Sequence, residues 1–336
     1  MLEDRFAHTH EAHNPRPLYR RALNDPLHGL AQLARGNTNS FAARNAPVSP
    51  IGPYLEALEQ GLIRDGFLRG RTGSAVLTIW LIFTPAFVEV LAENMSVSAP
   101  DPRVVSFVRG QIPVVTHGVS LSLGSSNCPD PQTLRMLNRI AELYASPLIS
   151  EHIALVRAQA DPGYDSLHQE VLKAGHLLPV PLSRLQLDAM VDNVQEAKES
   201  LRVPLALEPI ATLVEWPEPE IPEGRFVTEL LERTDTLLVL DIANVWANAT
   251  NHGRDPLSDI LAMPLDRIAY CHIAGGRWTE HMYHGTHADP VIRAVLELAE
   301  AVLAEVGPLP LMLERDDNFP PRAEHFAELH ALADVA

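Results

Sequence analysis

Carboxylate and imidazole side chains recur where seven short apolar segments of this sequence end. In chain order these residues are Glu93, His117, His152, Glu208, Asp241, His272 and Glu314. One polar residue at such a position is usually an ordinary hydrogen-bonding group, but charged groups are costly to bury unless they are paired or bound to a metal. Seven in succession therefore indicate a metal site. Because carboxylates can bridge two ions and neutral imidazoles supply terminal nitrogen ligands, the set favours more than one divalent metal.

Two stretches beyond these ends, 241–253 and 281–290, add candidate ligands. They supply one amide, four histidines and one carboxylate, namely Asn244, His252, His281, His284, His287 and Asp289. Asn244 follows Asp241 by three residues and can turn back toward the same ion. Of the three histidines in the second stretch, we expect at least one to face the site.

Composition narrows the kind of protein that holds such a site. The 336 residues include 26 Lys and Arg against 43 Asp and Glu, which gives a formal net charge of −17. This acidity argues against a nucleic-acid partner, since binding phosphates requires a basic surface. With only Cys128 and Cys271, a disulfide scaffold is excluded and the cytoplasm is favoured. The longest apolar run, 75–83, is too short to span a membrane, and no signal peptide is visible.

Alternating strand and helix patterns predict how these residues meet. Strands are predicted at Phe87–Ala92, Ile112–His117, Leu148–His152, Pro204–Glu208, Leu237–Asp241, Ile268–His272 and Pro310–Glu314. Helices are predicted at Pro131–Tyr144, Leu182–Leu201, Gly224–Arg233, Pro256–Leu261, Pro290–Val306 and Ala323–Leu332. This alternation is typical of a parallel sheet, and seven strands plus one earlier element predict an α/β fold of the (β/α)8 TIM-barrel type. The alternative is an open doubly wound sheet, but no G-x-G-x-x-G motif supports dinucleotide binding.

The amino-terminal part does not follow this pattern. Residues 1–74 are rich in Pro, Asn and Arg, and we interpret them as an extension that is partly helical or disordered. Residues 75–336 then form the metal-binding barrel. Only three residues separate the apolar run 75–83 from the first clear strand, so the first β/α unit is either irregular or begins upstream. The long segment 154–176 is a candidate lid over the barrel mouth.

Ordered motifs resemble those of the multinuclear non-heme iron-dependent oxidative enzymes, the family of MbnB and TglH. They cover about residues 87–325 and include His117-Gly-Val-Ser, Ser150-Glu-His152, Leu207-Glu208, Leu240-Asp-Ile-Ala-Asn244, Asn251-His-Gly-Arg-Asp-Pro, His272-Ile-Ala-Gly-Gly, Thr286-His287 and Leu313-Glu314-Arg-Asp-Asp. The resemblance implies a xylose-isomerase-like TIM barrel that holds two or three irons. It also implies oxidation of cysteines in a ribosomally made precursor peptide, with O₂ as co-substrate and a partner protein that delivers the peptide.

Carried over by position, the resemblance implies a specific set of site residues. The implied metal ligands are His117, His152, Glu208, Asp241, Asn244, His272, His287 and Glu314. Glu208, Asp241 and His272 form the predicted catalytic centre. Additional candidate ligands are His252, His284, Asp289 and Glu93, and the candidates for orienting the ligands are Glu93, Asn94, Glu151, Asn251, Asp316 and Asp317.

One position departs from the family pattern. Gly285 stands where the family usually has an Asp before Thr-His, so one carboxylate ligand is missing and the third ion depends on a substitute, which could be His284, Asp289 or His252. Two other functions stay open. One is a zinc- or manganese-dependent isomerase or hydrolase on the same barrel, and the other is a degenerate member without catalysis. Metal identity separates an iron oxidase from a zinc enzyme because zinc has no redox chemistry.

Overall fold

A sheet of parallel strands organises the part of the chain that the computed structural model describes, residues 87–95, 105, 113–159 and 171–335. The strands are β1 (Val88–Leu91), β2 (Val114–His117), β3 (Ile149–His152), β4 (Leu155–Gln159), β5 (Val171–Leu178), β6 (Leu205–Glu208), β7 (Leu237–Asp241), β8 (Ile268–Ala274), β9 (Arg277–Trp278), β10 (Tyr283–His284) and β11 (Leu311–Glu314). The main sheet has the order β1-β2-β3-β6-β7-β8-β11, and every neighbouring pair in it is parallel. Its seven strands correspond to the seven predicted from the sequence.

Helices alternate with these strands along the chain. They are α1 (Pro131–Tyr144), α2 (Arg184–Ser200), α3 (Glu223–Thr234), α4 (Ile242–His252), α5 (Pro256–Leu261), α6 (Arg293–Val306) and α7 (Arg322–Val335). The alternation gives the predicted TIM-barrel fold. The expectations for residues 1–74 and for the first β/α unit at 75–86 lie outside the described residues. None of the helices described is long and apolar enough to cross a bilayer.

Local sequence explains why these elements form. Helix α1 begins after Asp130, whose carboxylate accepts hydrogen bonds from the backbone of Gln132 and Thr133 and so caps the helix. It ends at Ala145, which adopts the left-handed conformation common at helix ends. The strands of the main sheet between β1 and β11 are buried along their whole length, which matches their apolar composition. Cys271 in β8 is buried, as expected for a small core residue.

Two regions differ from the sequence-based expectation. Helix α4 was not predicted because it follows β7 without a connecting loop, so no turn signal separates strand from helix. The segment 154–176, predicted as a loop, instead contains most of an antiparallel pair formed by β4 and β5. An irregularity in this pair includes Gly175, whose φ of +77° is a conformation that glycine adopts without strain. The role of the segment 154–176 as a lid stays a prediction.

Candidate metal centre

The carboxyl ends of the main-sheet strands and the loop after β10 bring seven of the eight predicted ligands together. Three overlapping groups contain them: His117, His152 and Glu208; Glu208, Asp241, His272 and Glu314; and His287, Glu314 and Asp316. Within each group the ligand atoms lie within 4.8 Å of one another. Strand register explains the closeness, since His152 in β3 pairs with Glu208 in β6 and Asp241 in β7 pairs with His272 in β8.

Glu208 occupies the centre of the cluster and is fully buried. Its Oε2 lies 3.9 Å from His117 Nε2 and 3.7 Å from His152 Nε2. Its Oε1 lies 3.3 Å from His272 Nδ1, so the two carboxylate oxygens face different histidines. This geometry suits a carboxylate that bridges two cations.

Several buried polar atoms in the cluster have no hydrogen bond from the described part of the chain. They are His152 Nδ1, Glu208 Oε2, Asp241 Oδ2, His272 Nδ1 and Glu314 Oε2. Each such atom costs about 1–3 kcal/mol if it stays unsatisfied, so five in one place indicate a missing binding partner. His272 Nδ1 lies 3.1 Å from Glu314 Oε2, yet the pair does not align as a hydrogen bond. Imidazole nitrogens and carboxylate oxygens are a donor set that fits divalent transition metals.

His287 extends the cluster from the loop between β10 and α6. Its Nε2 lies 3.4 Å from Asp241 Oδ2 and 3.2 Å from Asn244 Oδ1, and its Nδ1 lies 3.0 Å from Glu314 Oε2. The residue has a φ of +50°, a backbone conformation that is uncommon for residues other than glycine. Its backbone N–H donates to Gly275 and its carbonyl accepts from Asp316, which holds that conformation. Four of the eight predicted ligands, Asp241, Asn244, His287 and Glu314, therefore meet here.

Burial and the concentration of carboxylates together control the protonation of the metal-free cluster. Burial opposes a positive charge on His272, but neighbouring carboxylates, chiefly Glu314, outweigh burial and raise its pKa well above the usual value. The pKa of His287 is raised well above its usual value in the same way. Burial raises the pKa of the Asp241 carboxyl to about 7. In contrast, burial lowers the pKa of His152 to about 4, which keeps this imidazole neutral and able to ligate.

Glu89 belongs to the site and was missed by the sequence analysis. Its Oε1 lies 3.3 Å from His272 Nε2, on the side of the ring opposite Nδ1. It also forms a candidate ligand group with His117 and Glu314. The sequence pattern pointed to the residues at the strand ends, whereas Glu89 lies inside β1 between Val88 and Val90. A charged residue within an apolar strand was the signal that could have revealed it.

A hydrogen-bonded network connects Glu89 to two of the predicted ligands. The buried Tyr270 hydroxyl donates to Glu89, and Ser150 Oγ lies 2.9 Å from the same hydroxyl. Ser150 Oγ also lies 2.8 Å from His117 Nδ1. The network leaves His117 Nε2 and His272 Nδ1 directed toward Glu208. Partners of this kind fix the orientation of ligating histidines.

Two residues proposed to replace the carboxylate missing at Gly285 have other partners. Asp289 forms an ion pair of 2.7 Å with Arg277. His284 Nε2 lies 3.0 Å from the Thr279 hydroxyl, in the loop between β9 and β10. Neither belongs to the ligand groups found among the described residues.

Five of the remaining predicted residues, Glu93, Glu151, Asn251, His252 and Asp317, contact the loops around the cluster. Glu93 accepts a hydrogen bond from Val119 N at 3.0 Å, and Glu151 accepts one from Leu121 N at 2.7 Å, both in the loop after β2. Asn251 forms two hydrogen bonds with the backbone of Tyr283. His252 Nδ1 lies 3.5 Å from Glu215, and Asp317 accepts a hydrogen bond from the next residue. Glu151 Oε2 also accepts a hydrogen bond from His152 N at 2.5 Å, so Glu151 contacts a predicted ligand directly, while the contacts of the other four lie outside the cluster.

Comparison with known proteins assigns the chain to a family. The family described as "RiPP precursor modification enzyme MbnB/TglH/ChrH" matches residues 77–336. The chain belongs to this family. Membership identifies the chain as an enzyme, and together with the buried ligand groups it implies bound metal ions. The resemblance inferred from the motifs is thereby confirmed.

The share of a relative's length that matches this chain differs from one relative to another. A "UPF0276 protein" from Streptomyces avermitilis is 42% identical over 247 residues, which cover 73% of this chain but 50% of that protein. A "UPF0276 protein" from Caulobacter vibrioides is 34% identical over 244 residues, 72% of this chain and 83% of that protein. The chain therefore spans about half the length of the Streptomyces relative.

A search of solved structures found D-psicose 3-epimerase from Clostridium cellulolyticum H10, with a TM-score of 0.47 and 11% identity over 74% of this chain and 86% of that one. A likeness at this level is informative about neither substrate nor metal.

Proposed function

We propose that this protein is an iron-dependent oxidase that uses O₂ to modify cysteine residues of a ribosomally made precursor peptide. The match to the precursor-modifying family over residues 77–336 carries this proposal. The buried, hydrogen-bond-deficient cluster around Glu208 supports it because such a site suits redox-active divalent metals. A partner protein that delivers the peptide is part of the proposal.

The ligand groups support a centre of two ions, for which Glu208 would be a common ligand. His117, His152 and Glu208 would hold one ion, and the second would lie among Glu208, Asp241, His272 and Glu314. His287, with Asn244 and Asp316 beside it, offers donors for a third ion. When bound, iron supplies redox chemistry with O₂ and a positive charge that favours the thiolate form of a cysteine.

The protein's own residues would exclude water and handle protons. The donor atoms of Glu208, Asp241 and His272 are buried, which keeps bulk solvent away from the reacting groups. Asp316 is the most exposed carboxylate of the cluster, with Oδ2 3.6 Å from His287 Nδ1 and a side chain 57% exposed. Burial of part of this residue raises the pKa of its carboxyl, so Asp316 Oδ2 is suited to accept the proton that a substrate thiol releases.

Co-expression with short cysteine-containing peptides encoded beside its gene tests the proposal. We expect a mass change in the peptide, located at cysteine by fragmentation, that requires both iron and O₂. The same peptide with serine in place of cysteine is the control and should stay unmodified. Turnover that zinc or manganese supports without O₂ would contradict the proposal and favour an isomerase or hydrolase on this barrel.

A further inference from the structure

The loop that follows β6 presents an unusual run of exposed apolar residues. Every residue from Leu213 to Glu220 is exposed. Leu213, Val214 and Trp216, which we call the β6 rim, are 45%, 63% and 49% exposed. Single exposed apolar residues are ordinary on protein surfaces, but a contiguous group of this size usually marks an interaction site.

The β6 rim lies close to the metal centre. It begins five residues after Glu208, and the loop before it is hydrogen-bonded to α4. Asn244 Nδ2 lies 3.4 Å from the carbonyl oxygen of Pro209, and Asn248 Nδ2 donates to that of Ile210 at 2.9 Å. A molecule bound at the rim would therefore be held at the carboxyl-end face of the barrel, where the cluster lies.

Several contacts hold the rim in its exposed position. Trp216 donates its indole N–H to the carbonyl oxygen of Pro179 at 2.9 Å, just after β5. Thr212 N donates to Asn248 Oδ1 at 2.7 Å, and Ile221 N donates to the Leu182 carbonyl at 3.1 Å. Because both ends of the loop are tied to neighbouring elements, the apolar side chains are presented by an ordered backbone. Such pre-organisation reduces the entropy cost of binding a partner.

The rim has a strongly acidic setting. Glu215, Glu218 and Glu220 alternate with its apolar and proline residues, and no Lys or Arg occurs from residue 203 to 224. Two arginines that contact this loop are already paired with carboxylates, Arg254 with Glu215 and Asp259, and Arg184 with Glu229. The charge therefore complements a positively charged partner.

We propose that the β6 rim docks a segment of the peptide substrate in which large apolar side chains are flanked by Lys or Arg. The inference rests on the proposed function, since a peptide that reaches the cluster must pass the loops at this end of the barrel. Apolar side chains of the peptide would cover Val214 and Trp216, while its cationic groups would face Glu218 and Glu220. Docking at the rim would hold a cysteine elsewhere in the peptide near the metal centre.

Fluorescence anisotropy with three labelled peptides tests this docking site. The probes are a ten-residue peptide of alternating Lys and Leu, the same peptide with Glu for Lys, and the same peptide with Ser for Leu. The full chain is used as purified and again after metal removal, so that docking is measured independently of metal chemistry. We expect the Lys/Leu peptide to bind most tightly in both states and to weaken as salt rises.

Matched substitutions assign the binding to the rim. The double variant Val214→Ser, Trp216→Ser should bind the Lys/Leu peptide about tenfold more weakly. Glu218→Lys should also weaken binding of the Lys/Leu peptide, but it should strengthen binding of the Glu/Leu peptide. Trp216→Phe, which keeps an aromatic ring at this position, should retain most of the native affinity for the Lys/Leu peptide. Leu261→Ser is the control because Leu261 is 44% exposed, like Leu213, but lies at the end of α5, just before β8 begins. Melting temperature and metal content should be unchanged in every variant.

Several results would overturn the proposal. These are equal affinity for the Lys and Glu peptides, equal losses in the rim variants and Leu261→Ser, and a rim-dependent shift in oligomeric state by light scattering. Rim-dependent binding to phosphatidylglycerol vesicles but not to the peptide would also overturn it. If the rim binds the peptide but no iron-dependent modification occurs, the proposed function fails while the docking site stands.

Discussion

Glu208 and Glu89 show how differently two carboxylates can serve one site. Glu208 faces three histidines with both oxygens, and one of those oxygens has no hydrogen bond among the described residues. Glu89 instead accepts from the Tyr270 hydroxyl and lies against the far nitrogen of His272. Glu208 is therefore positioned to bind cations, whereas Glu89 and Tyr270 are positioned to orient an imidazole.

Replacing Tyr270 with Phe should weaken metal binding without unfolding the protein. The change removes the hydroxyl that contacts Glu89 and Ser150 but keeps the ring that packs against Phe87. Because lost support for a ligating histidine typically costs about 10–100-fold in metal affinity, we expect a loss of about tenfold. Anaerobic titration with Fe²⁺ measures it.

Tyr283→Phe is the matched control for that titration. Tyr283 is also buried, but its ring packs against Trp246 and Trp278 rather than against the cluster. Equal affinities for the two variants would show that the Tyr270 hydroxyl does not orient the ligands.

Replacing Gly285 with Asp should increase the number of bound metal ions. A Cβ placed at Gly285 would lie 3.5 Å from Ala211 Cβ and 3.7 Å from Asn244 Oδ1, which is ordinary contact, so the site accepts a side chain. The added carboxylate would lie beside Asn244 and His287, the donors available to a third ion. We expect one more ion per chain by elemental analysis. Gly285→Ala supplies the same Cβ without a ligand, and an equal metal count in both variants would disprove the missing-ligand explanation.

At the scale of elements, the junction of β7 and α4 couples the site to the fold. Asp241 ends β7, and its Oδ1 accepts a hydrogen bond from Asn244 N at 2.9 Å, which caps α4. Its Oδ2 remains free of hydrogen bonds from the described residues and lies near His287. One side chain therefore both starts a helix and contributes a ligand, and the cap aims Asn244 toward the cluster.

Substitutions at Asp241 should separate these two roles. Asp241→Asn keeps an oxygen able to cap α4, whereas Asp241→Ala removes it. We expect the metal-free Ala variant to have a free energy of unfolding about 1 kcal/mol lower than that of the Asn variant, measured by urea denaturation. Both variants should lose metal, because both remove the negative charge. A metal-free Ala variant as stable as the Asn variant would show that the cap does not support α4.

Most strands and helices, and the ligands at the strand ends, could be predicted from the sequence, whereas some site residues could not. The strands and most helices were predictable because apolar segments alternate with longer amphipathic ones, and each strand ends at a polar residue. The ligands at those ends followed from the convergence of parallel strands. Glu89 and Tyr270 could not be placed in this way because they lie within their strands, and their role depends on which side of each strand faces the cluster. Helix α4 was missed because β7 runs into it without a turn.

At the scale of the whole molecule, an acidic chain concentrates some of its charge inside the barrel. Part of the net charge of −17 belongs to buried carboxylates that face histidines rather than solvent. In the metal-free protein this charge raises the pKa of His272 and His287 well above its usual value. Cations and protons therefore compete for the same pocket.

Metal affinity should rise with pH as a consequence. Since His272 and His287 hold protons in the metal-free protein and lose them on ligation, metal binding releases protons. Each proton released changes the affinity by about tenfold per pH unit while the group is protonated. Anaerobic Fe²⁺ titration between pH 6 and pH 8, with proton release followed by a pH dye in weak buffer, checks this dependence. An affinity that is independent of pH, without proton release, would contradict it.

Elemental analysis of protein purified without oxygen tests most directly whether the cluster is a multinuclear iron centre. We predict at least two iron atoms per chain in the native protein. Glu208→Gln should lose most of this iron, because one carboxylate would serve both ions, while Glu218→Gln in the exposed loop should retain it. A native protein that binds no iron, or Glu208→Gln protein that keeps the full iron content, would contradict the assignment of this site.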